Sequence, residues 1–481
     1  MQKTFIQNLV LLLTLNLLVK PFWLFGIDRT VQNVTGTEIY GIYYALFNFS
    51  FLLNVILDPG INTFNNRNIA QNRHLLSKHV SSLVVIKLLL SVVFFIVTLG
   101  VAYAMGYRDF AIHLLIFLAI NQVLASFLLF FRSNLSGLHY FKTDSLMSVL
   151  DRFLMIGICS VLLWGGVTSM TFQIEWFVYI QTFSYGAAAI IAGVLVMLKA
   201  DFLRFSFNKA FFVMILKKSY PFALLTILMT LYSKVDSVML ERLLPDGDFH
   251  AGIYAAGFRV VEAFNMIAFL FGSLLLPIFA RMLKNNEPVL GLAKTGFRLL
   301  VIPSLILCIV CFFYSNLLMD WMYYEETGIK GEAFGIMVFA FVFSATVYIF
   351  GSLLTANNNV KQLNIISGSG LLLNIIINFT LIPHWQVFGA VSATVATQFL
   401  VAFLHGILLL NIFKQKLPVW FLLRLTVFLM VSLSFTYTFF GWLDIWQWEM
   451  VLMVLINVIF AVVSGLIKPL ELYRILQKSS E

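Results

Sequence analysis

Charge is what this sequence has least of. Only 11% of its 481 residues are Asp, Glu, Lys or Arg while 61% are hydrophobic, against roughly 25% charged in soluble domains. That balance excludes disordered, fibrous and ordinary soluble classes. Cysteine is almost absent: Cys159, Cys308 and Cys311 each sit inside an apolar run, so a disulfide framework is excluded and a small hydrophobic role remains. The seven histidines show no metal-ligand spacing, and no phosphate-cradling glycine motif is present. Basic residues exceed acidic ones, 31 to 22, but they are scattered with no aromatic-basic patch, which argues against nucleic acid.

Long apolar runs are what the chain does have, and its mean hydropathy is +0.94. A hydrocarbon layer about 30 Å thick takes roughly 20 apolar residues per helix. Runs bounded by charge, Gly and Pro predict spans over residues 5–28, 38–60, 80–105, 110–131, 144–165, 173–198 and 219–241. The remaining spans are 250–280, 295–319, 333–356, 363–383, 388–413, 419–441 and 446–467. The fold class is therefore an all-α polytopic membrane protein of about fourteen helices.

With the N-terminus inside, 22 basic residues fall in inner segments and only Arg29, Arg108, Arg242 and Lys330 in outer ones. The positive-inside rule then puts both termini in the cytoplasm. Eight of the nine tryptophans, all but Trp420, fall at or near outer ends, as interfacial anchors do. The segment 202–218, with aromatics among basic residues, reads as amphipathic and in contact with anionic membrane lipid.

The chain also repeats itself. Gly41-Ile42-Tyr43, after the first span, is echoed by Gly252-Ile253-Tyr254 after the seventh, and Tyr185-Gly186-Ala187 by Phe388-Gly389-Ala390. Repeats holding an even number of spans share one orientation. The expected organisation is an N-lobe over 1–200, a cytoplasmic inter-lobe loop over 201–218, a C-lobe over 219–414, and two extra helices with a tail over 415–481. Parallel repeats of this kind in secondary transporters place substrate between the halves, near the membrane midplane.

Five basic residues are left inside spans: Lys20, Lys87, Arg152, Lys234 and Arg259. Their acidic counterparts are Asp58, Asp151, Asp236 and Glu262. A charge at a helix centre costs roughly 2.5–3.5 kcal/mol even on a lenient scale, so such residues are functional candidates. Counting depth at 1.5 Å per residue, Lys20, Lys234, Asp236, Arg259 and Glu262 form an outer-half group, and Asp58, Lys87, Asp151 and Arg152 an inner-half cluster. Arg259 and Glu262 share a helix face. Asp236 and Glu262 read either as neutralising partners or as proton or sodium coupling sites. The inner cluster reads as a lock on the first lobe. Lys20 has no acid within a helical turn, and Pro21 beside it is expected to loosen the helix. Asn374 and Asn378 share a face of the eleventh span, where amides pack helices or bind sugar hydroxyls.

This pattern resembles the polysaccharide, Wzx-like, flippase branch of the multidrug, oligosaccharidyl-lipid and polysaccharide exporter superfamily. The resemblance rests on Gly36 to Tyr43 followed by Asp58-Pro59-Gly60 and Arg67, on Pro221 with Lys234 and Asp236, and on Gly252-Ile253-Tyr254 with Arg259. It implies a MATE-like fold of six plus six plus two helices and alternating access of two lobes. It further implies an undecaprenyl-pyrophosphate-linked oligosaccharide substrate held by Lys20, Arg259 and Lys234. A bacterial inner membrane, a monomer, no cofactor, and neighbouring polysaccharide polymerases or glycosyltransferases as partners also follow from it. A drug or cation exporter and a lipid II flippase share the architecture. The former calls for an acid-lined pocket, and the latter for a deep basic residue on the second span that is missing here. A membrane-embedded polymerase or acyltransferase is the rival from another class. The longest outer loop, Asp320 to Glu332, lacks the histidine such chemistry uses.

Overall fold

A computed structural model describes residues 14–62, 65–66, 69, 76–167, 170–200, 209–417 and 419–467. The start of the first expected span, residues 5–13, lies outside the described residues, as do the inner basic residues Lys3, Arg67, Arg73, Arg204, Lys468, Arg474 and Lys478. The described residues hold thirteen helices long and apolar enough to cross a membrane. A helical segment over residues 14–35 precedes them. No strand occurs among the described residues.

We number the spanning segments α1 to α14. α1 covers residues 14–35. Then follow α2 (Thr37–Leu52), α3 (Leu76–Ala104), α4 (Asp109–Gly137), α5 (Phe141–Trp164), α6 (Ile174–Met197) and α7 (Lys209–Leu243). The second half holds α8 (Gly247–Lys284), α9 (Leu290–Phe313), α10 (Thr327–Ala356), α11 (Val360–Trp385), α12 (Val387–Ile412), α13 (Val419–Phe439) and α14 (Trp446–Val463).

Three departures from the sequence reading have physical causes. Pro21 lacks an amide hydrogen, and the helix answers two residues later with a π-helical turn, Trp23–Asp28, before returning to α geometry. α9 ends at Phe313 instead of running to 319, because a short helix, Ser315–Met322, takes over the apolar run. The described part of the inter-lobe segment, from Lys209, is helix continuous with α7 and not loop.

The described residues pack into two compact units, Met1–Gly252 and Ile253–Glu481. In the first, α4 packs on α6 and α2, α5 on α6, and α2 on α7. Its core joins Val80, Leu83 and Ile86 of α3 to Phe130 and Leu135 of α4 and Ala188 and Ala192 of α6. Gly193 of α6 leaves room for the Phe131 ring. In the second unit α11 packs on α12, α10 on α9 and α12, and α14 on α9. Leu88, Leu89, Val92, Val93 and Ile96 of α3 are exposed, as are Val427, Met430 and Val431 of α13. Apolar faces of that size are what lipid covers.

The Gly-Ile-Tyr echo has a packing explanation inside the first unit. Gly41 of α2 faces the backbone of Asp248 and Gly252 at the start of α8, and Gly252 faces the Thr37 carbonyl. A Cβ at either glycine would fall far inside van der Waals contact distance of a carbonyl oxygen. Gln32 Nε2 seals the contact by donating to the Gly252 carbonyl at 2.9 Å. Small residues let helix backbones approach this closely.

Candidate functional site

Lys20 does not stand where counting from the end of its span suggests. Asn16, one turn earlier, donates to Ser148 Oγ of α5 at 3.1 Å, and Trp23, three residues later, lies 5.0 Å from the Arg152 guanidinium. Lys20 falls between these two contacts and so faces α5, within electrostatic range of Arg152, Asp151 and Arg132. Among the described residues no carboxylate lies at ion-pair distance from it. Arg132 is matched by Asp144 at 2.8 Å, whereas Asp151 reaches Arg152 only at 3.7 Å. The Arg152 guanidinium also donates to the Tyr185 hydroxyl at 2.9 Å and lies 5.6 Å from that ring. Trp23 is itself stacked on Phe177, 5.5 Å away. At 1.5 Å per residue Arg152 is about 16 Å along α5 from Phe141, close to mid-membrane.

The inner-half cluster therefore divides. Asp151 and Arg152 belong with Lys20. Lys87 and Asp58 have surroundings of their own: Lys87 is buried, its Nζ donating to the Leu57 carbonyl at 3.1 Å and to Ser126 Oγ at 2.8 Å. The Phe130 ring lies 5.8 Å away. Asp58 adds attraction and accepts the Asn62 amide at 3.1 Å. Lys87 thus ties the turn after α2 to α3 and α4. Replacing Lys87 with alanine should cost about 2 kcal/mol, since the buried carbonyl and hydroxyl lose their donor. Thermal unfolding of the purified variant checks this.

Asp236 of α7 is fully buried, and beside it Ser237 accepts a hydrogen bond from Asn48 of α2 at 2.8 Å. Lys234, one turn from Val238 on the same helix, is half-buried. In the second unit Arg259 pairs with Glu262 at 2.9 Å along α8, the shared face that the spacing predicts. Tyr254, one turn earlier, contacts Thr394 of α12 at 3.0 Å and stacks on Phe258. Asn378 donates to Asn374 at 3.1 Å, both buried in α11.

One charged group escapes sequence reasoning altogether. Glu241, at the end of α7, is buried, takes a hydrogen bond from the Tyr107 hydroxyl at 2.5 Å, and is bridged by both arms of Arg242. Arg242 then lies 3.8 Å over the Tyr107 ring and donates to the Met105 carbonyl at 3.1 Å. Burial, with Glu241 adding to it, pushes the Tyr107 hydroxyl well above its ordinary pKa, so it stays a donor. This group joins the turn between α3 and α4 to the end of α7. The signal in the sequence was an acid directly preceding a basic residue that charge counting had absorbed into the topology.

Residues 5–283 match the family model for polysaccharide biosynthesis proteins. The chain belongs to that family. The chain is similar to the lipid II flippase MurJ in its inward closed conformation, with TM-score 0.72, 13% identity, and coverage of 95% of this chain and 98% of that one. It is also similar to an inward-facing multidrug resistance MATE transporter, at TM-score 0.59 and 14% identity over 79% of this chain and 92% of that one. A transporter of the same superfamily from Pyrococcus furiosus, described by its reversed binding-pocket polarity, matches at TM-score 0.57 and 14% identity, covering 85% and 95%. Among curated proteins, an uncharacterized membrane protein of Methanocaldococcus jannaschii is 24% identical over 77% of this chain and 90% of its own length. This member of the polysaccharide biosynthesis family thus has the fold of the multidrug, oligosaccharidyl-lipid and polysaccharide exporters.

Proposed function

We propose that the protein is a flippase that carries an undecaprenyl-pyrophosphate-linked oligosaccharide, a surface-polysaccharide repeat unit, from the inner to the outer leaflet of a bacterial cytoplasmic membrane. Both termini lie in the cytoplasm. The observation that carries this reading is Lys20: an ammonium in a membrane-spanning helix, near two arginines, with no carboxylate at ion-pair distance among the described residues. A buried charge so placed needs an anion from elsewhere or gives up its proton. A lipid pyrophosphate is an anion that reaches mid-membrane already attached to a hydrocarbon chain.

Lys20, Arg259 and Lys234 hold that pyrophosphate, and Asp236 and Glu262 serve proton or sodium coupling. Arg259 reaches substrate already paired with Glu262, so the anion competes with a carboxylate, and loading the anion releases Glu262 to take a cation. Anion arrival and cation binding are then linked by simple charge balance. Polysaccharide polymerases and glycosyltransferases that make and use the repeat unit are the partners this role implies.

Arg259→Ala is expected to abolish delivery of the repeat unit to the outer surface while the protein remains in the membrane at normal level. Surface polysaccharide is read by gel profile, and membrane protein by immunoblot. Normal polysaccharide from a well-expressed Lys20→Ala/Arg259→Ala variant sinks the pyrophosphate assignment. Ethidium efflux in a sensitised strain, with polysaccharide unaffected, would instead mark a drug exporter.

A further inference from the structure

We propose that the second unit carries a binding site for an anionic phospholipid, formed by Arg298 of α9 and Arg424 of α13 around Phe421. It requires neither a transported substrate nor transport itself. The Arg298 guanidinium lies 5.8 Å over the Phe421 ring, which also meets the neighbouring Phe297 edge to face at 6.0 Å. Arg424 follows Phe421 by three residues and so shares its face of α13. Its Nη1 reaches the end of α14, where a Cβ on Gly465 would stand 3.6 Å away. Three helices thus fix two guanidinium groups about one turn of α13 apart.

The charge at this end of the unit is of one sign. From Leu290 to Arg298 and from Ile412 to Arg424 the sequence holds Lys294, Arg298, Lys414, Lys416 and Arg424 and no acidic residue. Basic excess by itself only orients a membrane protein. Depth and surroundings single out the two arginines. At 1.5 Å per residue Arg298 is about 12 Å inside α9 and Arg424 about 8 Å inside α13, whereas Lys414 and Lys416 are exposed before α13 begins. Leu417, Val419, Trp420, Leu422 and Leu423 are exposed beside them, Trp420 to 79%, so the adjoining surface is apolar. An inorganic anion would have to leave water to reach Arg424. A phospholipid instead brings its phosphate to the headgroup layer, which long arginine side chains reach, and lays its acyl chains on the apolar surface below. The planar guanidinium fork matches phosphate oxygens, and basic pockets between membrane helices take such headgroups on the cytoplasmic side, where the orientation proposed above puts this end. Phosphatidylglycerol, with a net negative charge, fits; phosphatidylcholine, whose choline cancels its phosphate, does not.

The test uses full-length protein in detergent, stripped of lipid and supplied with dioleoyl phosphatidylglycerol, dioleoyl phosphatidylcholine or inorganic phosphate. Native mass spectrometry reads the lipid retained, and thermal unfolding reads the midpoint. Phosphatidylglycerol should be retained and raise the midpoint, and the other two should do neither. Arg298→Gln and Arg424→Gln should each weaken its binding by about tenfold, the scale of one charge-assisted contact. Arg424→Lys, which keeps the charge and loses the fork, should recover part of the affinity. Lys142→Gln, which removes an exposed basic residue of the first unit, should leave it unchanged. Equal retention of the two lipids by the wild-type protein overturns the proposal without recourse to any variant. So does wild-type affinity in a folded Arg424→Gln protein, or an effect of inorganic phosphate equal to that of the anionic lipid. A loss in Lys142→Gln as large as in the arginine variants also overturns it, because overall charge and not this site would then attract the lipid.

Discussion

Gly41→Leu is expected to produce a protein that inserts into the membrane but cannot hold α2 against α8. The backbones of Gly41 and of Asp248 and Gly252 are so close that even a methyl group collides with a carbonyl oxygen, and a backbone cannot step aside as a side-chain tip can. Overpacking a well-filled contact costs typically 1–3 kcal/mol, and a leucine wedged between two main chains should cost at least about 3 kcal/mol. The loss should be local. A cysteine placed at Ser237 of α7, buried beside Asn48 in the adjoining contact of α2 with α7, should be slow to react with a maleimide in the otherwise unaltered protein and fast in the Gly41→Leu background, where α2 is displaced. The native cysteines are buried and provide a low background. Equal labelling rates in the two backgrounds would mean that the glycine contact does not control this interface.

Arg242→Ala should be the most damaging single change at the α7–α8 turn. Glu241 is 5% exposed at its side chain and is bridged by Arg242, and removing one partner of a buried pair leaves an uncompensated charge at a cost of about 3–5 kcal/mol. Since Arg242 itself is 31% exposed, water can enter in its place, and the lower end of that range, about 3 kcal/mol, is expected. The double variant Arg242→Ala/Glu241→Gln should recover much of the loss, because the carboxylate that needed the arginine has gone. Thermal midpoints of the two variants in one detergent give the comparison. A double variant no more stable than Arg242→Ala would show that packing over Tyr107, 3.8 Å from the guanidinium, matters more than the charge.

The spans were legible because each is bounded by residues with a physical reason to stop a helix in a membrane. The predicted 144–165 and 388–413 fall within a few residues of Phe141–Trp164 and Val387–Ile412. The end of α9 was not legible: Leu317, Leu318 and Met319 continue the apolar run, and composition cannot register a break between two helices that are both greasy. At the site, Arg259 and Glu262 were legible since three residues along one helix decide their contact. Lys20 and Arg152 were not, because their meeting depends on which helices are neighbours, a property of tertiary packing. Tyr107 and Glu241, 134 residues apart, were hidden for the same reason.

The π turn in α1 carries a consequence of angular phase. Such a turn closes hydrogen bonds five residues apart instead of four, which amounts to one residue more than α geometry needs and about 100° of rotation. Below it Asn16 is bonded to α5; at its end Asp28 accepts the Tyr40 hydroxyl of α2 at 2.5 Å. An unbroken α-helix pinned at Asp28 would present a different side to α5. The helix is thus wound to satisfy two neighbours at once, and the extra residue sets the compass bearing of Lys20.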